Sequence, residues 1–172
     1  MKKYLNFMAL AMLAVFSLTF VSCSSDDDSD SSLGKKKIEI NGKTYSIFDF
    51  QFMGVWLDLS DPNYNTMIFE IPVMNGDRVE NHVFDCQTAT MPVVGDDLAD
   101  VGELTVDIGN VANSDVNDQI FTYSSGSAKI VSTNKKDDEI VVQFNHLKMV
   151  YKSYSYTYNG TVAIPFNFDT VN

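Results

Sequence analysis

Apolar and polar residues alternate at every second position over several stretches after residue 36, which is the periodicity of strands with one buried face. Ile38 and Ile40 lie on either side of Glu39, and Asn41-Gly42 follows directly. An Asn-Gly pair supplies the two positive φ angles of a tight hairpin turn. The pattern therefore predicts a β-hairpin at the start of the domain.

The rest of the chain continues this pattern, with turn signals at short intervals. Further strands are predicted at 55–59, 67–73, 103–108, 119–124, 128–132, 140–151, 154–158 and 161–168, with turns at Gly126 and at Asn159-Gly160. Only residues 96–101 carry a weak helical period. About nine or ten strands are expected, so the fold class is all-β. An antiparallel β-sandwich and a flattened, calycin-like barrel both fit this pattern.

The N-terminus has the pattern of an exported protein. Lys2 and Lys3 give a basic start, and an uncharged apolar run extends from Phe7 to Phe20. This run is shorter than the about 20 residues that a spanning helix needs, which favours a signal peptide over residues 1–22.

The residues that follow, Phe20-Val21-Ser22-Cys23, resemble the lipobox of bacterial lipoproteins. In that family a small residue precedes the cut, and the cysteine thiol accepts a diacylglycerol. The resemblance implies that Cys23 is the lipidated (palmitate-bearing) N-terminus of the mature protein and that the membrane is a partner through this anchor. Two or more acyl chains make such an anchor stable.

Residues 24–32, which follow the cysteine, are acidic and serine-rich and include no residue that could form a core. The segment 23–36 is therefore expected to be a flexible tether before a single β-domain at 37–172. Ser25-Asp26-Asp27-Asp28 resembles the export signal of Bacteroidota surface lipoproteins. The resemblance implies an outer-membrane protein that faces the cell exterior. A plain tether facing the periplasm is the alternative.

Charge and cysteine content limit the kinds of partner and covalent bond that the sequence allows. The formal net charge is −11, with 12 basic against 23 acidic residues, and Arg78 is the only arginine. Nucleic acid is not expected as a partner, because phosphate binding needs clustered basic side chains. With Cys23 assigned to the lipid, Cys86 is left as a small buried hydrophobe and no disulfide is expected.

No residue pattern indicates catalysis, a metal or a cofactor. His82 and His146 are the only histidines, and no nucleophile motif or zinc spacing accompanies either. Asp61, Asn63 and Asn65 have the spacing of a calcium-loop start, but the required glycine and glutamate do not follow. The protein is therefore expected not to be an enzyme.

Aromatic residues supply the candidate ligand contacts. Tyr154, Tyr156 and Tyr158 fall on one face of a predicted strand. They form either part of the core or an exposed platform for a sugar or a partner protein. Trp56 poses the same choice. Near the C-terminus, Asp169-Thr170-Val171 resembles the Bacteroidota O-glycosylation motif, which implies a modified Thr170.

These observations favour a non-enzymatic, lipid-anchored envelope protein that binds an extracellular glycan or an envelope protein. Two alternatives stay open. A structural or adhesion subunit predicts a paired edge strand, and a barrel that carries a small apolar ligand predicts a cavity lined by Phe and Met.

Overall fold

The computed structural model describes residues 36–48, 55–58, 65–90, 92–134 and 139–165. Nine strands and one helical turn occupy this part of the chain. The strands are β1 Lys37–Ile40, β2 Lys43–Ser46, β3 Val55–Asp58, β4 Asn65–Asn75, β5 Arg78–Thr88, β6 Gly102–Gly109, β7 Gln119–Asn134, β8 Glu139–Tyr151 and β9 Tyr154–Pro165, and the helical turn α1 is Leu98–Val101. Within these ranges no helix has the length and apolarity needed to cross a membrane.

All nine strands pair antiparallel in one sheet, in the order β2-β1-β9-β8-β7-β6-β5-β4-β3. The sheet curls into a nearly closed barrel, because the end of β2 reaches the free edge of β4. Ile47 forms a bridge with Val73, and the Phe48 backbone N–H donates to the Pro72 carbonyl at 2.8 Å. β3 pairs with the other part of the same β4 edge. The all-β expectation is confirmed.

Aromatic side chains fill the centre of the barrel. Phe84 stacks on Phe69 at 4.9 Å between ring centroids, and it also contacts Phe144 at 5.3 Å and Tyr158 at 5.2 Å. These four side chains are buried. A ring of about eight strands leaves an interior that side chains can fill, which explains how the residues of several strands meet at one point.

The segment before β6 covers one end of the barrel. Leu98 of α1 is fully buried there, and its carbonyl accepts a hydrogen bond from the Cys86 thiol. The Asp97 carboxylate accepts from the backbone N–H groups of Ala99 and Ala128, so it caps α1 and ties it to β7. The helical period expected at residues 96–101 is thus present as one turn.

Two of the expected turns are wrong. β7 and β9 run without interruption through Gly126 and Gly160, although both glycines have positive φ angles of 86° and 125°. Gly126 lies instead at a β-bulge, where the register between β7 and β8 shifts. A positive φ at glycine serves turns and bulges alike, so the residue type alone does not distinguish them. The Asn41-Gly42 turn is confirmed, with φ angles of 52° and 77°.

Candidate functional site: a polar pocket at the mouth of the barrel

The end of the barrel opposite α1 gathers three hairpin turns and a loop, because consecutive antiparallel strands bring alternate connections to the same end. The turns follow β1, β4 and β8, and the loop of residues 110–118 joins β6 to β7. We call this end the mouth. The turn after β1, the end of β4 and the loop border a pocket of about 250 Å³. The pocket is lined by Ile40, Asn41, Tyr45, Asn75, Glu80, Val111, Ala112, Asn113 and Tyr156.

Glu80 is the ionisable group deepest in this lining, with 8% of its surface exposed. Its Oε1 accepts a hydrogen bond from the Asn75 amide at 2.9 Å. The Asn75 Oδ1 in turn accepts from the Lys43 ammonium at 3.2 Å, and that ammonium lies 4.7 Å from the centre of the Tyr45 ring. A chain of polar contacts therefore leads from the rim of the mouth to a buried carboxylate.

The tyrosine row of β9 lies on the inward face of the barrel. Tyr158 is fully buried, and Tyr154 and Tyr156 are half-buried against the core. The exposed-platform alternative for this row is therefore wrong, because the alternation of β9 turns its serine and threonine face outward. Tyr156 still lines the mouth pocket, whereas the Tyr154 hydroxyl donates to Asp115 on the loop at 2.9 Å.

A buried polar pair lies one inward position deeper than Glu80 and Tyr156. The His82 Nδ1 is 2.9 Å from the Tyr158 hydroxyl, and both side chains are fully buried. The His82 Nε2 has no hydrogen-bond partner among the described residues. Burial lowers the pKa of His82 to about 3, because the charged imidazolium cannot be solvated there. His82 is therefore neutral in the folded protein at ordinary pH.

We expect His82 to lower the free energy of unfolding as the pH drops below about 6.5, the pKa that this residue has in the unfolded chain. Below this pH His82 is protonated in the unfolded state, whereas in the folded state it stays neutral until the pH approaches its lowered pKa. Between pH 7 and pH 5 the loss is about 2 kcal/mol. Urea unfolding of the wild type and of His82→Phe at both pH values measures it.

The comparison with His82→Phe isolates this residue. Burial raises the pKa of Glu70, Asp85 and Asp107, which favours the folded state as the pH falls. These carboxyl groups are present in both proteins, so their contributions cancel in the difference between the two pH profiles. Parallel profiles would contradict the assignment of a neutral, buried His82.

The loop of residues 110–118 closes one side of the mouth and is fastened at several points. Val111 and Val116 are buried, and the Val111 N–H donates to the Asn117 side chain at 3.0 Å. The contact from Tyr154 to Asp115 fastens the outer part of the loop to β9. The pocket wall formed by Val111, Ala112 and Asn113 is therefore held in place by both packing and hydrogen bonds.

A second, more open depression of about 790 Å³ lies on the outer face of β4 and β5. It is lined by Glu70, Pro72, Asp77, Arg78, Val79, Asn81 and Asn110. The Arg78 side chain makes one long contact there, 3.5 Å to the Asn110 carbonyl. We favour the mouth pocket as the functional site, because it combines a buried carboxylate, amides and aromatic rings in a small concave space.

Several residues singled out from the sequence lie outside the described ranges. They are the lipid-attachment residue Cys23, the export-signal residues Ser25, Asp26, Asp27 and Asp28, and the O-glycosylation candidate Thr170. Trp56 belongs to β3, where its backbone pairs with Ile68. The structure describes the backbone at this position and not the indole, so its proposed ligand contact stays a prediction.

Strand β5, which supplies Glu80 and His82, was missed by the sequence analysis. Its inward positions include both polar and apolar residues, so the strand lacks a regular apolar alternation. They are Glu80, His82, Phe84, Cys86 and Thr88. An available signal was the Asn75-Gly76-Asp77 stretch, a turn sequence directly after a predicted strand. The tyrosine Tyr45 was also not identified as a pocket residue.

The described residues contain no group of three or more His, Cys, Asp or Glu side chains that could hold a metal ion. Cys86 is buried, and burial together with the charge of Asp85 raises the pKa of its thiol to about 12.

No family model, no curated protein and no solved structure matches the chain.

Proposed function

We propose that this protein is an exported, lipid-anchored envelope protein that binds a small saccharide, or the end of a glycan chain, in the mouth pocket. The observation that carries the proposal is the lining of that pocket. Glu80 and Asn75 provide hydrogen-bonding groups for sugar hydroxyls, and Tyr45 and Tyr156 provide ring surface. A concave site with a few placed polar groups and aromatic walls is typical of small-ligand binding.

The anchor and the location rest on the N-terminal sequence. The basic start, the apolar run and Cys23 form one continuous signal, and the run Ser25-Asp26-Asp27-Asp28 follows it. We propose that Cys23 carries the lipid, that the protein belongs to the outer membrane, and that the β-domain faces the cell exterior. With the domain at the cell exterior, the pocket would bind an extracellular glycan.

Binding, rather than catalysis, fits the chemistry of the pocket. A general acid or base must reach the group that reacts. His82 lies below the lining residues, fully buried, and contacts Tyr156 and Tyr158 through the edges and faces of the rings. Among the described residues Glu80 is the one carboxylate in the lining, and its hydrogen-bond partner is the Asn75 amide.

The packed aromatic centre argues against the alternative of an apolar-ligand carrier. Phe69, Phe84 and Phe144 contact one another where such a ligand would have to lie. Space for a ligand is present instead at the mouth, where most of the lining side chains are polar. A site of this composition disfavours hydrocarbon, because its amide and carboxylate groups would lose water without gaining hydrogen bonds.

The binding proposal is tested by measuring how strongly the purified protein is retained on immobilised bacterial and host glycans. We expect Asn75→Ala and Tyr156→Ala each to weaken this retention about tenfold or more, since each removes about 1.5 kcal/mol of contact. Asp100→Asn, an exposed change in α1 at the opposite end, is the control. Equal retention by all variants would contradict the proposed site.

The location is tested by treating intact cells with an extracellular protease. The wild type, Cys23→Ala, and a variant with Asp26, Asp27 and Asp28 replaced by alanine are compared. Surface display predicts that the wild type is degraded while the triple-alanine variant is protected. Protection of the wild type would place the domain on the periplasmic side and move the search to ligands there.

A further inference from the structure

We infer that the ligand of the mouth pocket carries a positively charged amine, which pairs with the carboxylate of Glu80. The inference rests on the proposed binding function and narrows its ligand class to ammonium-bearing compounds, of which an amino sugar is the saccharide form. Three observations support it: the missing ionic partner of Glu80, the neutral character of the other side chains in the lining, and the field that Glu80 exerts inside the barrel.

Glu80 lacks an ionic partner within the described part of the chain. Its Oε1 accepts from the neutral Asn75 amide, and no other hydrogen bond or ion pair involves its side chain there. The Oε2 atom accepts no hydrogen bond from these residues and is not sealed from solvent, so it is open to an ammonium placed beside it. Because Glu80 lines the pocket, a ligand in the pocket can supply the missing partner.

The rest of the lining offers neutral groups: amides at Asn41, Asn75 and Asn113, and the phenols of Tyr45 and Tyr156. The Lys43 ammonium lies at the rim, between the Asn75 Oδ1 and the face of the Tyr45 ring, and makes no ion pair with Glu80. That contact shows that the Tyr45 ring presents a face to an ammonium at the rim, as cation–π binding requires.

The charge of Glu80 acts on the two neighbouring tyrosines of β9. The pKa of Tyr156 is raised, first by burial and then by the nearby Glu80 charge, and the pKa of Tyr158 is raised by burial, Tyr156 and Glu80. A field that opposes the formation of a phenolate attracts a cation placed in the same space. The inner part of the mouth pocket therefore favours positive charge.

Calorimetric titration of the purified full chain in detergent tests the inference with four probes: D-glucosamine, N-acetyl-D-glucosamine, D-glucose and ethanolamine. The three sugars share a ring and differ in whether they carry an ammonium, whereas ethanolamine carries an ammonium without the ring. We expect D-glucosamine to bind about tenfold more tightly than either neutral sugar, because a hydrogen bond to a charged partner is stronger.

Two variants connect the preference to particular residues. Glu80→Gln keeps an acceptor for Asn75 but removes the charge, and we expect it to abolish the preference for D-glucosamine. Lys43→Gln removes a competing positive charge at the rim, and we expect D-glucosamine binding to tighten a few-fold. Asp100→Asn is the matched control, and urea unfolding establishes that each variant is folded.

The four probes separate the two proposals. Equal binding of all three sugars, or an unchanged preference in Glu80→Gln, overturns the amine inference and leaves the saccharide proposal standing. Binding of ethanolamine without binding of any sugar supports the amine and overturns the saccharide. Absence of binding for every probe overturns the amine inference and counts against the pocket as a site for simple sugars.

Discussion

Gly126→Ala is expected to lower the free energy of unfolding by about 3 kcal/mol. Two effects add. Gly126 has a φ of 86°, a conformation that an L-residue adopts at a cost of about 1–2 kcal/mol. In addition, a Cβ there would lie 2.1 Å from the His146 carbonyl oxygen and 2.7 Å from the Leu147 Cα. Both are backbone atoms of β8, so relief requires that the two strands separate.

Gly42→Ala is the matched control for this prediction. Gly42 also has a positive φ, 77°, but nothing lies within 4 Å of a Cβ built on it. We expect a loss of about 1 kcal/mol from backbone strain alone. Urea unfolding of the two variants measures the difference, and equal losses would show that the β7–β8 bulge accommodates a methyl group.

Phe84→Ala is expected to lower the free energy of unfolding by about 4 kcal/mol, because it removes the ring that joins several strands at the barrel centre. Phe84 is fully buried and contacts Phe69, Phe144 and Tyr158. These partners belong to β4, β8 and β9, so the remaining aromatic rings cannot collapse into the vacated space without moving strands. A cavity remains, and its cost adds to the lost burial.

Ile120→Ala is the control for this second prediction. Ile120 is 61% exposed on β7, so its truncation is expected to change the free energy of unfolding by no more than about 0.5 kcal/mol. Urea titrations with equal slopes for both variants and the wild type make the comparison valid. A loss at Phe84 below about 2 kcal/mol would mean that the centre of the barrel is loosely packed.

Strands with a clean apolar alternation could be predicted from the sequence, and so could the hairpin at Asn41-Gly42. β6 illustrates the reason: Leu104, Val106 and Ile108 are all buried, while the positions between them are polar. Each residue of such a strand carries the same information about which side faces the core. The closure of the sheet from β2 onto β4 could not be predicted, because it depends on curvature that accumulates over all the strands.

The candidate site could be predicted only in part. The sequence shows that the three tyrosines of β9 share one face of the strand. Alternation alone does not say which face points inward, because tyrosine on one face and serine or threonine on the other can both be exposed to water. Glu80 and His82 were not recognised, since a polar residue in a strand ordinarily indicates the outer face. The inward positions of Glu80 and His82 can be recognised only when their hydrogen-bond partners, Asn75 and Tyr158, are known to lie beside them.

The central claim, that ligands bind at the mouth of the barrel, is tested most directly by NMR of the protein with ¹³C-labelled tyrosine rings during titration with D-glucosamine. Tyr45 and Tyr156 line the pocket, whereas Tyr123 lies on β7 with its hydroxyl donating to the Gly126 carbonyl. Tyr→Phe variants assign the signals. The account predicts that the Tyr45 and Tyr156 ring signals shift with saturation while that of Tyr123 stays in place. Saturable shifts at Tyr123 with unchanged Tyr45 and Tyr156 signals would contradict it.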